Sequence, residues 1–280
     1  MLSYRHGYHA GNHADVLKHL VLVHCLQYLG QKDAPYWYID THAGGGLYDL
    51  SSEQATKLGE FHDGIERLWQ RDDLPPAVAE YVAVVQALNP HGSLKRYPGS
   101  PWIADHLLRE ADKLRLFELH GNECRILGKL FKDAGRRAQV QAMDGFAGLK
   151  AILPPPPKRA LVLIDPSYET KDDYRNVVSA MQESLKRFAT GTYAIWYPQL
   201  ARTESRQLPE KLTGLANNWL HVALRVDKPA KNGFGMSGSG MFVINPPWTL
   251  HAALQECLPT LRDLLAQGDG AAFTLEHQAS

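Results

Sequence analysis

Two hydrophobic periods alternate along most of this chain. Residues 13–29 place Val16, Leu20, Val23 and Leu26 at near-helical spacing, with Asn12 as a candidate N-cap and Gly30 as a stop. A short run, 36-YWYID-40, then reads as a strand, because aromatic and β-branched residues favour a pleated surface. Residues 53–71 and 76–88 predict two helices separated by 72-DDLPP-76, and 97-YPGSPWIADHLLRE-110 predicts a turn opening a helix. Beyond residue 113 the alternation is regular. Strands 114-LRLFEL-119, 138-AQVQAM-143, 160-ALVLID-165 and 192-TYAIWY-197 each precede a helix, at about 122–133, 145–152, 173–187 and 202–216. Two further strands, 219-WLHVALRV-226 and 241-MFVIN-245, have no helix between them, and a last helix covers roughly 250–267. Strands that are apolar along their length and alternate with helices imply an α/β fold with a mostly parallel sheet covered on both faces. The last pair adds an antiparallel member near one edge.

Composition changes this picture little. The 280 residues are 44% hydrophobic and 21% charged, values ordinary for a globular chain. No apolar run approaches the length that spans a bilayer, and MLSYRHGYHAG has no greasy signal-peptide core. Three scattered cysteines, Cys25, Cys124 and Cys257, form no metal or redox spacing and fit a reducing cytoplasm. Formal net charge is zero, so any nucleic-acid partner needs a local basic surface such as 125-RILGKLFKDAGRR-137. A solvated helix face is the plainer reading of that run. His6, His9, His13 and His19 crowd the first turns of the chain, yet without the helical pairing of a zinc hydrolase, and no metal is expected.

Candidate chemistry sits at the strand ends, where open α/β sheets bind ligands. Consecutive strands finish at Asp40, Glu118, Asp144 and Asp165. The first runs into 40-DTHAGGG-46, whose glycines let backbone pass close to a ligand. A dinucleotide fingerprint needs a third glycine where Asp49 stands, and an acid there is wrong for a pyrophosphate. An acid suits a ligand bearing a sulfonium and an α-amino group. Glu118 is then placed for ribose hydroxyls and Asp144 for an adenine amino group, with Gly44 and Gly46 lining the approach. The pattern is that of a class I S-adenosylmethionine-dependent methyltransferase: a Rossmann-like, seven-stranded mixed sheet within one domain over residues 1–280. Glu118 follows Gly46 by 72 positions, far more than the usual 20 or so. The excess implies a small inserted helical subdomain at 50–96, hanging over the cofactor face. Acids outnumber bases there, so it is no obvious phosphate clamp.

Two strand ends compete for catalysis. In 165-DPSY-168 the Asp165 carboxylate and the Pro166 carbonyl can accept both N–H bonds of an adenine amino group. Those acceptors localise its lone pair and stabilise the positive charge that develops on nitrogen. Tyr168 offers a face for base stacking, worth about 1–3 kcal/mol. The string 245-NPPW-248 has the same ingredients. It follows the last strand, away from the glycine loop, and leads into a greasy helix, so it reads as a strand stop.

These motifs, together with 1-MLSYRHGYHAGNHADVLKH-19, 97-YPGSP-101, 116-LFELH-120, 188-FATGTYAIWYP-198 and 241-MFVINPPW-248, resemble the bacterial 23S ribosomal RNA adenine-N6 methyltransferases along nearly the whole chain. The resemblance implies an S-adenosylmethionine-dependent, cytoplasmic, monomeric enzyme acting on one adenine of 23S rRNA, with no membrane partner. It assigns cofactor contacts to His19, His42, Ser100, Glu118, Asp144 and Gly145, the catalytic acceptor to Asp165, and a substrate contact to Tyr4. It gives 245-NPPW-248 no catalytic duty. The family's usual motif is D-P-P-Y, and Ser167 departs from it, which loosens the turn by about 0.4–1 kcal/mol of unfolded-state entropy. A DNA adenine methyltransferase with the same catalytic residues, and a non-catalytic nucleic-acid-binding protein on the same fold, are the alternatives.

Overall fold

The computed structural model describes residues 5–230 and 235–279. Tyr4 lies outside the described residues. Helix α1 (His13–Gly30) begins where Asn12 caps it, its side chain accepting from the backbone N–H groups of Ala14 and Asp15. This helix is buried almost all round, with Val16, Leu17, Leu20, Val21 and Leu22 at 1% exposure or less. A helix buried on every side must carry its polar residues into the protein as well. Asp15, Lys18 and His19 are therefore interior groups.

The strand β1 (Trp37–Asp40) is followed by the short strand β2 (Leu47–Asp49) and helix α2 (Glu53–Leu58). Helix α2 is shorter than its pattern predicts. Gly59 adopts a left-handed conformation that ends it, and two 3₁₀ turns replace its second half. Gly64 lies so close to the Gly11–Asn12 backbone that a Cβ would stand 2.0 Å from the Gly11 oxygen. Helix α3 (Pro76–Ala87) then packs on α1, and β3 (Arg96–Pro98) pairs antiparallel with β2. Segment 50–96 is thus pinned to α1 through Tyr81, Val82 and Val85 within one continuous core.

Next come α4 (Ser100–Leu107), β4 (Lys113–Phe117), α5 (Gly121–Leu130), β5 (Ala138–Gln141), α6 (Gly145–Ile152), β6 (Ala160–Ile164), α7 (Lys171–Arg187), β7 (Thr192–Gln199) and α8 (Thr203–Thr213). The chain continues through β8 (Trp219–Arg225), β9 (Gly238–Ile244), α9 (Leu250–Leu265) and β10 (Ala272–Gln278). The main sheet has eight strands in the order β10-β8-β9-β7-β6-β1-β4-β5. The seven predicted strands are present, and β10 adds an eighth along β8 at the edge. Strands β5, β4, β1, β6 and β7 run parallel, and β9 and β10 run against them. Alternate residues of β6 enter opposite cores: Leu161 and Leu163 face α1, while Val162 and Ile164 face α7. That double burial is why the strand is apolar throughout. Chain order reverses where β1 lies between β4 and β6, so the crevice opens beyond the carboxyl ends of β1 and β6. Among the described residues no helix is long and apolar enough to cross a membrane.

Candidate active site

The cleft at that reversal is walled by His19, His42, Gly44, Ser100, Glu118, Asp144, Gly145, Asp165 and Pro166. Each arrives at the end of a strand or on α1. Asp165 is half-buried, and its Oδ2 accepts from Lys18 Nζ at 2.6 Å. Among the described residues nothing bonds to Asp165 Oδ1 or to the Pro166 carbonyl, and both residues border the cleft. Lys18 also pairs with Asp15 Oδ1 at 2.9 Å, while Asp15 Oδ2 accepts from the Gly11 N–H and meets His6 Nε2, each at 2.9 Å. Burial alone raises the Asp15 carboxyl. The His6 and Lys18 charges more than offset it and hold the group well below the usual carboxylate range. The Lys18 ammonium thus lies between two carboxylates, with His6 on the second oxygen of Asp15.

Around the first strand's end, the fully buried Asp40 accepts from Tyr38 Oη and Ser100 Oγ, both at 2.7 Å, and from the His42 N–H at 3.2 Å. Burial lifts its carboxyl to about 6 despite those donors. Ser100 spends its one proton on Asp40, so its oxygen meets the cleft as an acceptor. The glycine loop is shaped by contact as much as by reach. Gly44 and Gly46 both take positive φ, and a Cβ on Gly44 would stand 2.5 Å from the Tyr48 hydroxyl. Gly46 turns inward against Leu127 and Leu130 and does not line the cleft. Glu118 accepts from the Gly44 N–H at 2.8 Å and the His120 N–H at 2.6 Å, which fixes its carboxylate at the mouth of β4. Burial raises it, with those two N–H groups acting in the opposite sense.

Asp144 caps α6 by accepting from the Ala147 N–H at 2.8 Å. Gly145 beside it meets the β1 loop, where a Cβ would lie 1.9 Å from the Thr41 carbonyl oxygen. Gly145→Ala therefore forces two loops of the cleft apart. We expect it to destabilise the fold by about 1–3 kcal/mol and to weaken cofactor binding, both measurable by thermal unfolding with and without ligand. An unchanged melting temperature would contradict this packing.

The structure does not bring Tyr168 to the cleft. Its φ is 52°, its side chain is 2% exposed, and its hydroxyl donates to the Trp196 carbonyl at 2.6 Å. The ring packs on Tyr174 and Trp196, leaving no face for a base, so Tyr168 does not take the stacking role expected for it. Trp196 lines the wall instead, with Lys18 Nζ 5.6 Å from its ring centre. Lys18, Asp15 and Trp196 were missed by motif reading, and only their place on α1 and β7 identifies them.

The rival string lies at the other end of the sheet. Because β9 runs against β7, with Ile244 opposite Tyr193, Asn245 emerges at the start of β7. Its amide donates to the carbonyls of Ala189 and Gly191, both at 2.8 Å. Trp248 points to solvent, 81% exposed. The crowded histidines likewise disperse: His6 turns to Asp15, His9 to Glu60 and His19 to Tyr97. In the basic run, Arg137 is committed to carbonyls of Asp105 and Leu108.

Burial pushes the imidazoles of His13 and His42 down to about 4 and that of His19 to about 3. Between about 4 and the ordinary 6.5, the unfolded chain binds protons at these sites that the folded chain refuses. Their contribution to stability is full above 6.5 and is lost as pH falls from there toward 4. Asp40, raised from 3.8 to about 6, acts in the opposite sense, as do the raised Glu118 and His9, while His24 and His221 join the lowered rings. The expected result is a urea midpoint that falls steadily from pH 6.5 to 4, with a shallower slope in His42→Asn. A flat profile would contradict neutral burial of these rings.

The family model described as "Ribosomal RNA large subunit methyltransferase D, RlmJ" matches residues 33–276. Ribosomal RNA large subunit methyltransferase J of Escherichia coli (strain K12) is 50% identical over 276 residues, covering 97% of each chain. Its namesake from Haemophilus influenzae is 47% identical over 281 residues, covering 99% of this chain and 98% of its own. The crystal structure of protein LPL1258 from Legionella pneumophila superposes with a TM-score of 0.89 at 36% identity, over 97% of this chain and 99% of that one.

Proposed function

The chain belongs to the ribosomal RNA large subunit methyltransferase family RlmJ, and on that premise we propose that it methylates the N6 amino group of one adenine in 23S rRNA, using S-adenosylmethionine. The observation that carries this reading is that Asp165 Oδ1 and the Pro166 carbonyl have no hydrogen-bond partner among the described residues, on two residues that line the cleft, while Lys18 holds Oδ2.

The cleft suits the cofactor by its chemistry. Glu118 would hold the ribose hydroxyls and Asp144 the adenine amino group, with Gly145 letting the two loops close on the nucleoside. Gly44 would keep the backbone near the methionyl part, Gly46 would support that loop from behind, and His19, His42 and Ser100 would line it. Bound there, S-adenosylmethionine supplies a methyl group made electrophilic by its sulfonium.

The catalytic work falls to the β6 end. Asp165 Oδ1 and the Pro166 oxygen accept the two amino hydrogens of the target adenine, turning its lone pair out of conjugation. As nitrogen becomes positive, the Asp165 carboxylate stabilises it. Asp165 then takes the released proton. The target base must leave its helix to reach this depth. Trp196 offers it a flat wall, and Tyr168 braces that wall from behind by its bond to the Trp196 carbonyl. Tyr4 is assigned to the RNA.

The test is chemical. Unmodified 23S rRNA is labelled by the enzyme, digested to nucleosides and separated. Label in N6-methyladenosine is expected, and label in a ring-nitrogen, carbon or ribose methyl product would overturn the reading.

A further inference from the structure

His19 sits in α1 with one ring nitrogen turned to protein and the other to the cleft. Nδ1 meets the Tyr97 hydroxyl at 2.8 Å, and that hydroxyl meets the Tyr81 hydroxyl at 2.9 Å. Tyr81 and Tyr97 are 0% exposed and His19 is 1% exposed. Among the described residues Tyr81 Oη has no other partner, and no protein atom bonds to His19 Nε2, on a residue that lines the cleft. Burial keeps both phenols protonated and pushes His19 down to about 3, so the ring is neutral and carries one proton.

Which nitrogen carries that proton follows from counting donors. If Tyr81 donates to Tyr97 and Tyr97 donates to Nδ1, both phenolic protons are used and the imidazole proton lies on Nε2. If Nδ1 is protonated it must donate to Tyr97. Then either Tyr97 donates to Tyr81 and leaves the Tyr81 proton with no acceptor, or Tyr81 donates to Tyr97 and the Tyr97 proton is stranded. An unsatisfied buried donor is costly enough to bias the tautomers by roughly tenfold or more.

We propose that Tyr81 and Tyr97 form a relay that fixes His19 as its Nε2–H tautomer, making the cleft-facing nitrogen a neutral hydrogen-bond donor to the α-carboxylate of the bound cofactor. The assignment of the ligand rests on reading this cleft as the S-adenosylmethionine site. The tautomer itself does not. The relay gives segment 50–96 a part in cofactor recognition although it contributes no residue to the cleft wall: Tyr81 is its contact with the site, acting through Tyr97 of β3 and His19 of α1. Tyr81 and Tyr97 are positioning residues. Neither touches the cofactor.

The tautomer can be read without any reaction. Long-range proton–nitrogen correlation spectra of the ¹⁵N-histidine-labelled protein, free of ligand, distinguish protonated from bare ring nitrogens, and the His19 signals are those lost in His19→Gln. Wild type is expected to show a bare Nδ1 and a protonated Nε2. Tyr97→Phe removes the hydrogen-bond partner of Nδ1, and the two tautomers should become comparable in population. Tyr81→Phe, a milder change, should give an intermediate mixture and guards against a Tyr97→Phe protein that fails to fold. Calorimetry supplies the second readout. S-Adenosylhomocysteine should bind Tyr97→Phe about tenfold more weakly, as expected for losing one hydrogen bond to a charged group. 5′-Methylthioadenosine, which lacks the amino-acid part, should bind both proteins alike. A protonated Nδ1 in wild type, or an unchanged tautomer in Tyr97→Phe, would overturn the relay. Equal weakening of both ligands would overturn the carboxylate assignment. The expected tautomer in a wild-type protein that binds neither ligand would overturn the cofactor reading on which that assignment stands.

Discussion

Asp165→Ala is expected to lower the rate of methyl transfer by about 10²–10³-fold, the cost of removing one preorganised group that meets developing charge. The substitution removes both the acceptor at Oδ1 and the negative charge, while Lys18 keeps its bond to Asp15. Cofactor affinity should change little, because the carboxylates assigned to the nucleoside, Glu118 and Asp144, lie at other strand ends. Asp165→Asn retains a carbonyl oxygen and loses only the charge, so its rate should fall between wild type and Asp165→Ala. Single-turnover kinetics beside calorimetry of S-adenosylhomocysteine binding separate these effects. A wild-type rate in Asp165→Ala would remove this residue from the mechanism, and a loss confined to cofactor binding would make it part of the cofactor site.

Lys18→Met is expected to have the second largest effect, and on two observables at once. Lys18 is 5% exposed and Asp15 1%, so the substitution leaves a buried carboxylate without its ammonium. Breaking a buried ion pair on one side costs about 3–5 kcal/mol. His6 and the Gly11 N–H still reach Asp15, which places the expected loss near the lower end. For a chain of this size that corresponds to a melting temperature lower by roughly 6–12 °C. Methyl transfer should also fall more than about tenfold at a temperature where the variant is folded, because Asp165 loses the contact that aims it. A variant with wild-type melting and rate would show that the bridge between α1 and β6 is incidental.

The two cases show where the chain's pattern was readable. Strand β6 is apolar at every position because both of its faces are buried, and that run marks Asp165 as a strand end without any structure. Glu118 and Asp144 are legible as the acids that follow β4 and β5, although Arg115 and Gln139 interrupt the apolar runs there. Lys18 is not. It lies 147 positions from Asp165, on a helix whose apolar residues surround it, and nothing local distinguishes an interior lysine from a surface one. Tyr168 misled for a conformational reason: its left-handed φ turns the ring into the core, and φ is invisible in the string D-P-S-Y. The fate of Asn245 depended on strand direction. An antiparallel β9 sends its end to the far side of the sheet, while the residues around it look much like those around Asp165. Strand β10 escaped detection because it is an exposed edge, with only Ala272 and Leu275 partly covered and no alternating face for a period to reveal. In segment 50–96 the helical period continued through Gly59 and Gly64, but left-handed Gly59 ends the helix and Gly64 is held against the Gly11 backbone. Local patterns located the elements and the strand ends. Long-range contacts on α1 decided how the site is held.

The most direct measurement of the central claim is competition between acceptors. Purified enzyme receives labelled S-adenosylmethionine with equal amounts of unmodified 23S rRNA and adenine-containing duplex DNA, and each acceptor is recovered and digested. Label in the RNA alone, as N6-methyladenosine at a single site, is the expected result. Label in the DNA alone, or spread over many adenines of both, would contradict a catalytic corner dedicated to one ribosomal adenine.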